Sequence, residues 1–85
     1  MNEWTWCFEP EHLSEGLPPW ALAAIERFAT ELAFLGPEAD HVGEPTDRSG
    51  GLREFSLGDE AGFFKFILAH HMREVVIVHV TLWPH

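Results

Sequence analysis

Glu74-Val75-Val76-Ile77-Val78-His79-Val80-Thr81-Leu82-Trp83 is the stretch that decides the fold. Val, Ile and Thr branch at Cβ, which suits a pleated strand better than a helix. The run is nearly continuous in apolar character, so it reads as a central strand covered on much of both faces. A turn at His70 to Arg73 joins it to an earlier strand over 62–69. Gly58-Asp59-Glu60 joins that one to another over 52–57. Connections this short make the three strands an antiparallel meander.

Upstream, residues 38–51 read as a long loop, because Gly43, Pro45, Asp47, Ser49, Gly50 and Gly51 are turn chemistry with little to bury. Before the loop, Ala21, Ala24, Ile25, Phe28, Ala29, Leu32 and Leu35 recur at three- and four-residue spacing, which predicts a helix over 20–35. Pro18-Pro19 suits its start, and Gly36-Pro37 is its stop signal. Glu26, Arg27, Thr30 and Glu31 fall on its opposite, solvent-facing side. At the N-terminus Trp4, Trp6 and Phe8 alternate with Thr5, Cys7 and Glu9, the period of a half-buried strand, and Pro10 ends it. Residues 11–16 have room for one short helical turn. The order strand, helix, loop, three strands predicts an α+β fold in a single domain over 1–85. Its small antiparallel sheet has the helix packed on one face and the N-terminal strand beside the last one. The other sheet face is left partly open, and function is expected there.

Composition narrows the function. Hydrophobic residues are 46% and charged residues 22% of the 85, a globular balance. Fourteen acidic residues against five basic ones give a net charge of −9. Nucleic acids are held by Lys and Arg neutralising phosphates, so this balance argues against a free-standing nucleic-acid binder, while leaving room for a small, locally basic site. The single cysteine, Cys7, excludes an internal disulfide and a multi-thiolate zinc site, which points to a reducing compartment. No apolar run approaches the ~20 residues needed to span a bilayer. Met1-Asn2-Glu3-Trp4 carries no basic n-region, so no signal peptide, no membrane partner and a cytoplasmic location are expected.

Three segments carry a family resemblance. Gly51-Leu52-Arg53-Glu54-Phe55 is similar to the "GLREL" strand of the RelE/ParE superfamily of bacterial type II toxins. Gly62-Phe63-Phe64-Lys65-Phe66-Ile67-Leu68 resembles its "GxYRVLY" strand, and Val75-Val76-Ile77-Val78-His79-Val80 its "VVLLHGF" strand. The likeness covers about the last 35 residues closely and the N-terminal half in element order. It implies a toxin of strand–helices–antiparallel-sheet layout, neutralised by a cognate antitoxin that wraps around it. Nuclease branches of the family cut mRNA, usually on the ribosome, without a metal or other cofactor; the ParE branch inhibits DNA gyrase. Several features depart from the pattern: the chain is acidic, Lys65 stands where the family has Arg, Phe64 precedes it, and no tyrosine occurs. The family's basic extension after the last strand is not expected here, where Trp83 is followed by Pro84-His85.

Metal-free RNA cleavage needs the 2′-hydroxyl deprotonated, the phosphorane charge stabilised and the leaving oxygen protonated. Histidine suits the proton transfers and Arg or Lys the charge. The catalytic candidates are therefore Arg53, Lys65, His79 and the C-terminal His85, with Arg53 and Lys65 on adjacent strands able to form a cationic patch. Each has a plainer reading. Arg53 pairs with a surface carboxylate, Lys65 is a solvated strand charge, His79 is a hydrogen-bonded structural histidine, and His85 is a terminal residue. By alternation His79 shares a face with Val75, Ile77, Thr81 and Trp83. Glu54 reads equally as a general base or as a cross-strand partner of Arg53 or Lys65. His70 and His71 read as solvated turn residues, and the spacing of His12, His41 and Cys7 does not support a metal site. Trp4, Trp6 and Trp83 suit core or interface packing better than base stacking.

Two functions follow as expectations. One is the toxin component of a type II toxin–antitoxin system cutting mRNA, with mRNA or the ribosome and a cognate antitoxin as partners. The other is a non-catalytic toxin-fold protein acting by protein contact, as a gyrase inhibitor or a degenerate antitoxin-binding module. A homodimer, or a hetero-oligomer with the antitoxin, is compatible with either.

Overall fold

The computed structural model describes residues 3–45, 51–58 and 61–83. Strand β1 (Thr5–Phe8) is followed by a single 3-10 turn at Glu11–Ser14 and by helix α1 (Pro19–Leu35). A second 3-10 turn, Gly36–His41, leads into the two-residue strand β2 (Glu44–Pro45). The meander is β3 (Arg53–Gly58), β4 (Gly62–Ala69) and β5 (Glu74–Leu82). Strand order across the sheet is β1-β5-β4-β3-β2.

The meander is antiparallel throughout, and β1 lies beside β5 as expected. The sheet as a whole is mixed, however, because β1 and β5 run parallel. Helix α1 carries the chain back against β1, so β3 sets off in the direction of β1, and β5 shares that direction two reversals later. The segment expected to be loop is also partly ordered. Beyond the 3-10 turn, Glu44 and Pro45 pair antiparallel with Glu54 and Arg53. A proline is tolerated there because this strand is an outer one; residues 46–50 lie outside the described part.

Helix α1 starts with Pro19 in its first turn, where the missing N–H costs nothing. The amides of Ala21 and Leu22 donate to the Pro18 carbonyl. Gly36 stops the helix at φ +63°, with its N–H donating to the Leu32 and Ala33 carbonyls. A side chain at Gly36 is disfavoured by that backbone conformation, and its Cβ would stand 3.2 Å from the Trp4 indole. Ala21, Ile25, Ala29, Leu32 and Ala33 form the buried stripe. Four of them meet Phe64, Phe66, Val75 and Ile77 from the sheet, with Ala39 from the second 3-10 turn. Phe28, Phe55, Phe64 and Phe66 continue the core as a chain of ring contacts at 4.8, 5.5 and 5.9 Å. Each fully buried Phe or Ile contributes about 1.5–3 kcal/mol.

Register assigns the two faces. Phe55 opposite Phe64, and Trp6 and Phe8 opposite Val75 and Ile77, turn toward α1. Alternation then turns Cys7, Glu54, Phe63, Lys65, Ile67 and Val76 to the other, uncovered face. One irregularity intervenes. Lys65 faces His79 while Phe66 faces Ile77, so Val78 is an extra residue without a partner, a β-bulge. His79 therefore shares its face with Val76 and Thr81, and not with Val75 and Ile77 as strict alternation required.

Candidate functional site

The sheet brings Lys65 and His79 together. They are direct neighbours on β4 and β5, and with Leu52 and Val78 they line a depression of about 280 Å³ on the uncovered face. His79 shares a hydrogen bond of 2.9 Å between Nε2 and the Thr81 hydroxyl, two residues along the strand, which orients its ring. The Lys65 ammonium lies 5.8 Å from the Phe63 ring centroid, and the Trp83 ring meets Phe63 edge-on at 5.6 Å. Glu54 stands directly opposite Lys65 on β3, the cross-strand placement that was one of its two readings. The open face thus carries an acid, a base and an imidazole in a row across three strands, with two aromatic rings at one end.

Arg53 does not join them. It pairs with Phe66, so it projects to the helix side of the sheet. There its Nε donates to the Val42 carbonyl at 2.6 Å and its Nη2 to the Gly43 carbonyl at 2.9 Å. The guanidinium is a strut that holds the segment after the second 3-10 turn against β3. The expected patch of two cations on one face is corrected by the register: Arg53 and Lys65 differ by one place in the pairing, and one place reverses the face. His85, the fourth candidate, lies outside the described residues.

The remaining titratable groups sit apart. His70, in the turn before β5, pairs with Asp40 at 3.0 Å and lies edge-on to Trp4 at 5.6 Å. Both partners are about half exposed, so the pair adds little stability in water. His71 is exposed in the same turn. Cys7, at the sheet edge, has its thiol pushed up to about 11, first by burial and then by the Glu74 carboxylate. Among the described residues no group of three or more His, Cys, Asp or Glu side chains is placed to hold a metal, and no helix is long and apolar enough to cross a membrane.

One surface feature was not anticipated. Phe34, near the end of α1, is 91% exposed. Its position was readable, since it follows Arg27, Thr30 and Glu31 at helical spacing and so belongs to the polar face. Comparison with protein families, with curated proteins and with solved structures finds no match for this chain.

Proposed function

We propose that this chain is a RelE/ParE-type toxin-fold domain that acts by protein contact, as a gyrase inhibitor or an antitoxin-binding module, and not by cutting RNA. The observation that carries the reading is the orientation of Arg53. A metal-free nuclease stabilises the phosphorane charge, and arginine is the side chain best shaped for it. With Arg53 committed to the Val42 and Gly43 carbonyls, Lys65 is the candidate cation left to meet a phosphate on the open face. A net charge of −9 surrounds it and repels RNA over the Debye length of about 8 Å at physiological salt. The strand–helix–meander order supports the toxin-fold part of the reading. The cytoplasm suits it, since Cys7 has no intramolecular partner to be oxidised with.

A second reading, mRNA cleavage, draws on the Lys65–His79 pair, which offers a cation and a proton-transfer group side by side. Induced expression in a bacterial host, with growth curves and primer extension on cellular mRNA, separates the two. Growth arrest without new RNA ends, unchanged in Lys65→Ala/His79→Ala, supports the protein-contact reading. New ends that vanish in that double variant establish the nuclease instead. Normal growth assigns the chain to the antitoxin-binding module, which exerts no toxicity of its own.

A further inference from the structure

Three observations meet at the β1 edge of the sheet, two strands from Lys65. The first is a strand edge that no other described strand covers. β1 is the outermost strand at its end of the sheet, and the amides of Thr5 and Glu9 donate inward, to the Arg73 and Ile77 carbonyls. Alternation therefore turns the backbone amides and carbonyls of Trp6 and Phe8 outward, where another strand can pair with them.

The second is an apolar cleft along that edge. Trp4, Trp6, Ala33 and Phe34 are among the residues lining a depression of about 430 Å³ between β1 and α1. Thr30 and Phe34 also line a second one, of about 480 Å³, with Glu31 and Leu35. Both are open depressions at the surface, wide enough to receive a side chain from a segment lying along the edge. Phe34 at 91% and Leu35 at 40% exposure leave large apolar surfaces in water beside the cleft. The core is formed by other residues of α1, so Phe34 has no packing role of its own.

The third is charge. On the other side of β1, Glu9, Glu11 and Glu74 line a depression of about 480 Å³ with Cys7, Phe8 and Ser14. With Glu31, four carboxylates bracket the edge, and among the described residues no Lys, Arg or His lines any of the three depressions.

From these we infer that the edge of β1 is a docking site for an extended basic segment of a partner protein, which adds as a further strand and seats an apolar side chain between Trp6 and Phe34. Main-chain pairing supplies affinity in such strand addition, and the cleft and carboxylates supply specificity. A second copy of this chain is disfavoured as the occupant, because each copy carries −9 and presents the same carboxylates. The inference goes beyond the toxin reading, since neither Lys65 nor His79 takes part, and it stands whether or not RNA is cut.

The test uses the full chain and three labelled ten-residue peptides: one alternating Leu and Lys, its Leu/Glu counterpart, and the Leu/Lys peptide N-methylated at alternate residues. Fluorescence anisotropy at about 0.15 M salt is expected to show the plain Leu/Lys peptide binding about tenfold or more tighter than either of the others. Phe34→Asp and Glu31→Lys, both at surface positions, are each expected to weaken it about fivefold or more with the melting temperature unchanged. In NMR spectra of the labelled protein the Trp6 and Phe8 amides shift on binding. Failure to bind below about 1 mM, equal binding of the N-methylated peptide, or indifference to Phe34→Asp overturns the proposal. So does sedimentation showing that the free chain dimerises through this edge.

Discussion

Replacing Arg53 by alanine removes the strut between β3 and the segment at Val42 and Gly43. Two bonds are lost, at 2.6 and 2.9 Å, the first half-buried and the second exposed. A hydrogen bond from a charged donor contributes about 1.5–3 kcal/mol when protected, and much less where water competes. Counting the inner bond in full and the outer at under half, the loss is about 2–4 kcal/mol. Domains of this size have a total stability of order 5 kcal/mol and lose about 4–8 °C of melting temperature per kcal/mol. Arg53→Ala is therefore expected to melt about 8–32 °C lower. Arg53→Lys should fall between, because a single ammonium cannot serve both carbonyls in the geometry of the fork. Lys65→Ala, which touches no such network, should stay within about 0.5 kcal/mol of the parent. Thermal and urea unfolding, followed by tryptophan fluorescence, measure all three. If Arg53→Ala melts within about 2 °C of the parent, the strut carries no load and Arg53 is available for other work. Loss of a cellular activity in Arg53→Ala with stability intact leads to the same conclusion.

Two other predictions concern the sheet. Gly62 is buried at φ +139°, and a Cβ there would overlap the Thr81 carbonyl oxygen and stand 2.9 Å from the Leu82 Cα. Gly62→Ala should destabilise by about 3 kcal/mol or more, from backbone strain plus the forced separation of β4 and β5; a loss under about 1 kcal/mol would contradict the pairing of Gly62 with Leu82. Cys7, with its pKa pushed up to about 11, should be ionised in only about one molecule in a thousand at pH 8 and alkylate slowly with iodoacetamide. Its rate should climb until the pH passes about 11, and Glu74→Gln should move that midpoint down by removing the neighbouring negative charge. Alkylation at pH 8 as fast as that of free cysteine refutes the assignment.

Much of this architecture was readable beforehand, for local reasons. The Ala21–Leu35 periodicity and its Pro and Gly punctuation fixed α1, because spacing and end signals are properties of neighbouring residues. The branched run in β5 and the short turns fixed the meander in the same way. What escaped depends on how strands meet. Nothing in Val78 marks it as a bulge, yet that one unpaired residue decides which neighbours His79 keeps. Arg53 and Lys65 occupy adjacent strands, as expected, but the side from which each projects is set by a register the residues do not state. Pro45 belongs to turn chemistry by type, and it joins the sheet only because an outer strand tolerates a missing amide. Phe34 is legible in the helical spacing, and it is informative because Leu35 extends it into a contiguous apolar patch rather than because one apolar residue is exposed.

Among the residues that pair across β3, β4 and β5, Lys65 is the cation on the open face, and Arg53 is turned to the helix side of the sheet. The most direct measurement is the binding of a labelled single-stranded RNA oligomer by anisotropy across a range of salt concentrations. Each neutralised phosphate adds about −0.7 to the slope of log K against log salt for single strands. One cation predicts weak binding with a slope of about −0.7, flattened further by Lys65→Ala. Tight binding with a slope steeper than about −2 requires several cations on one surface and contradicts the account.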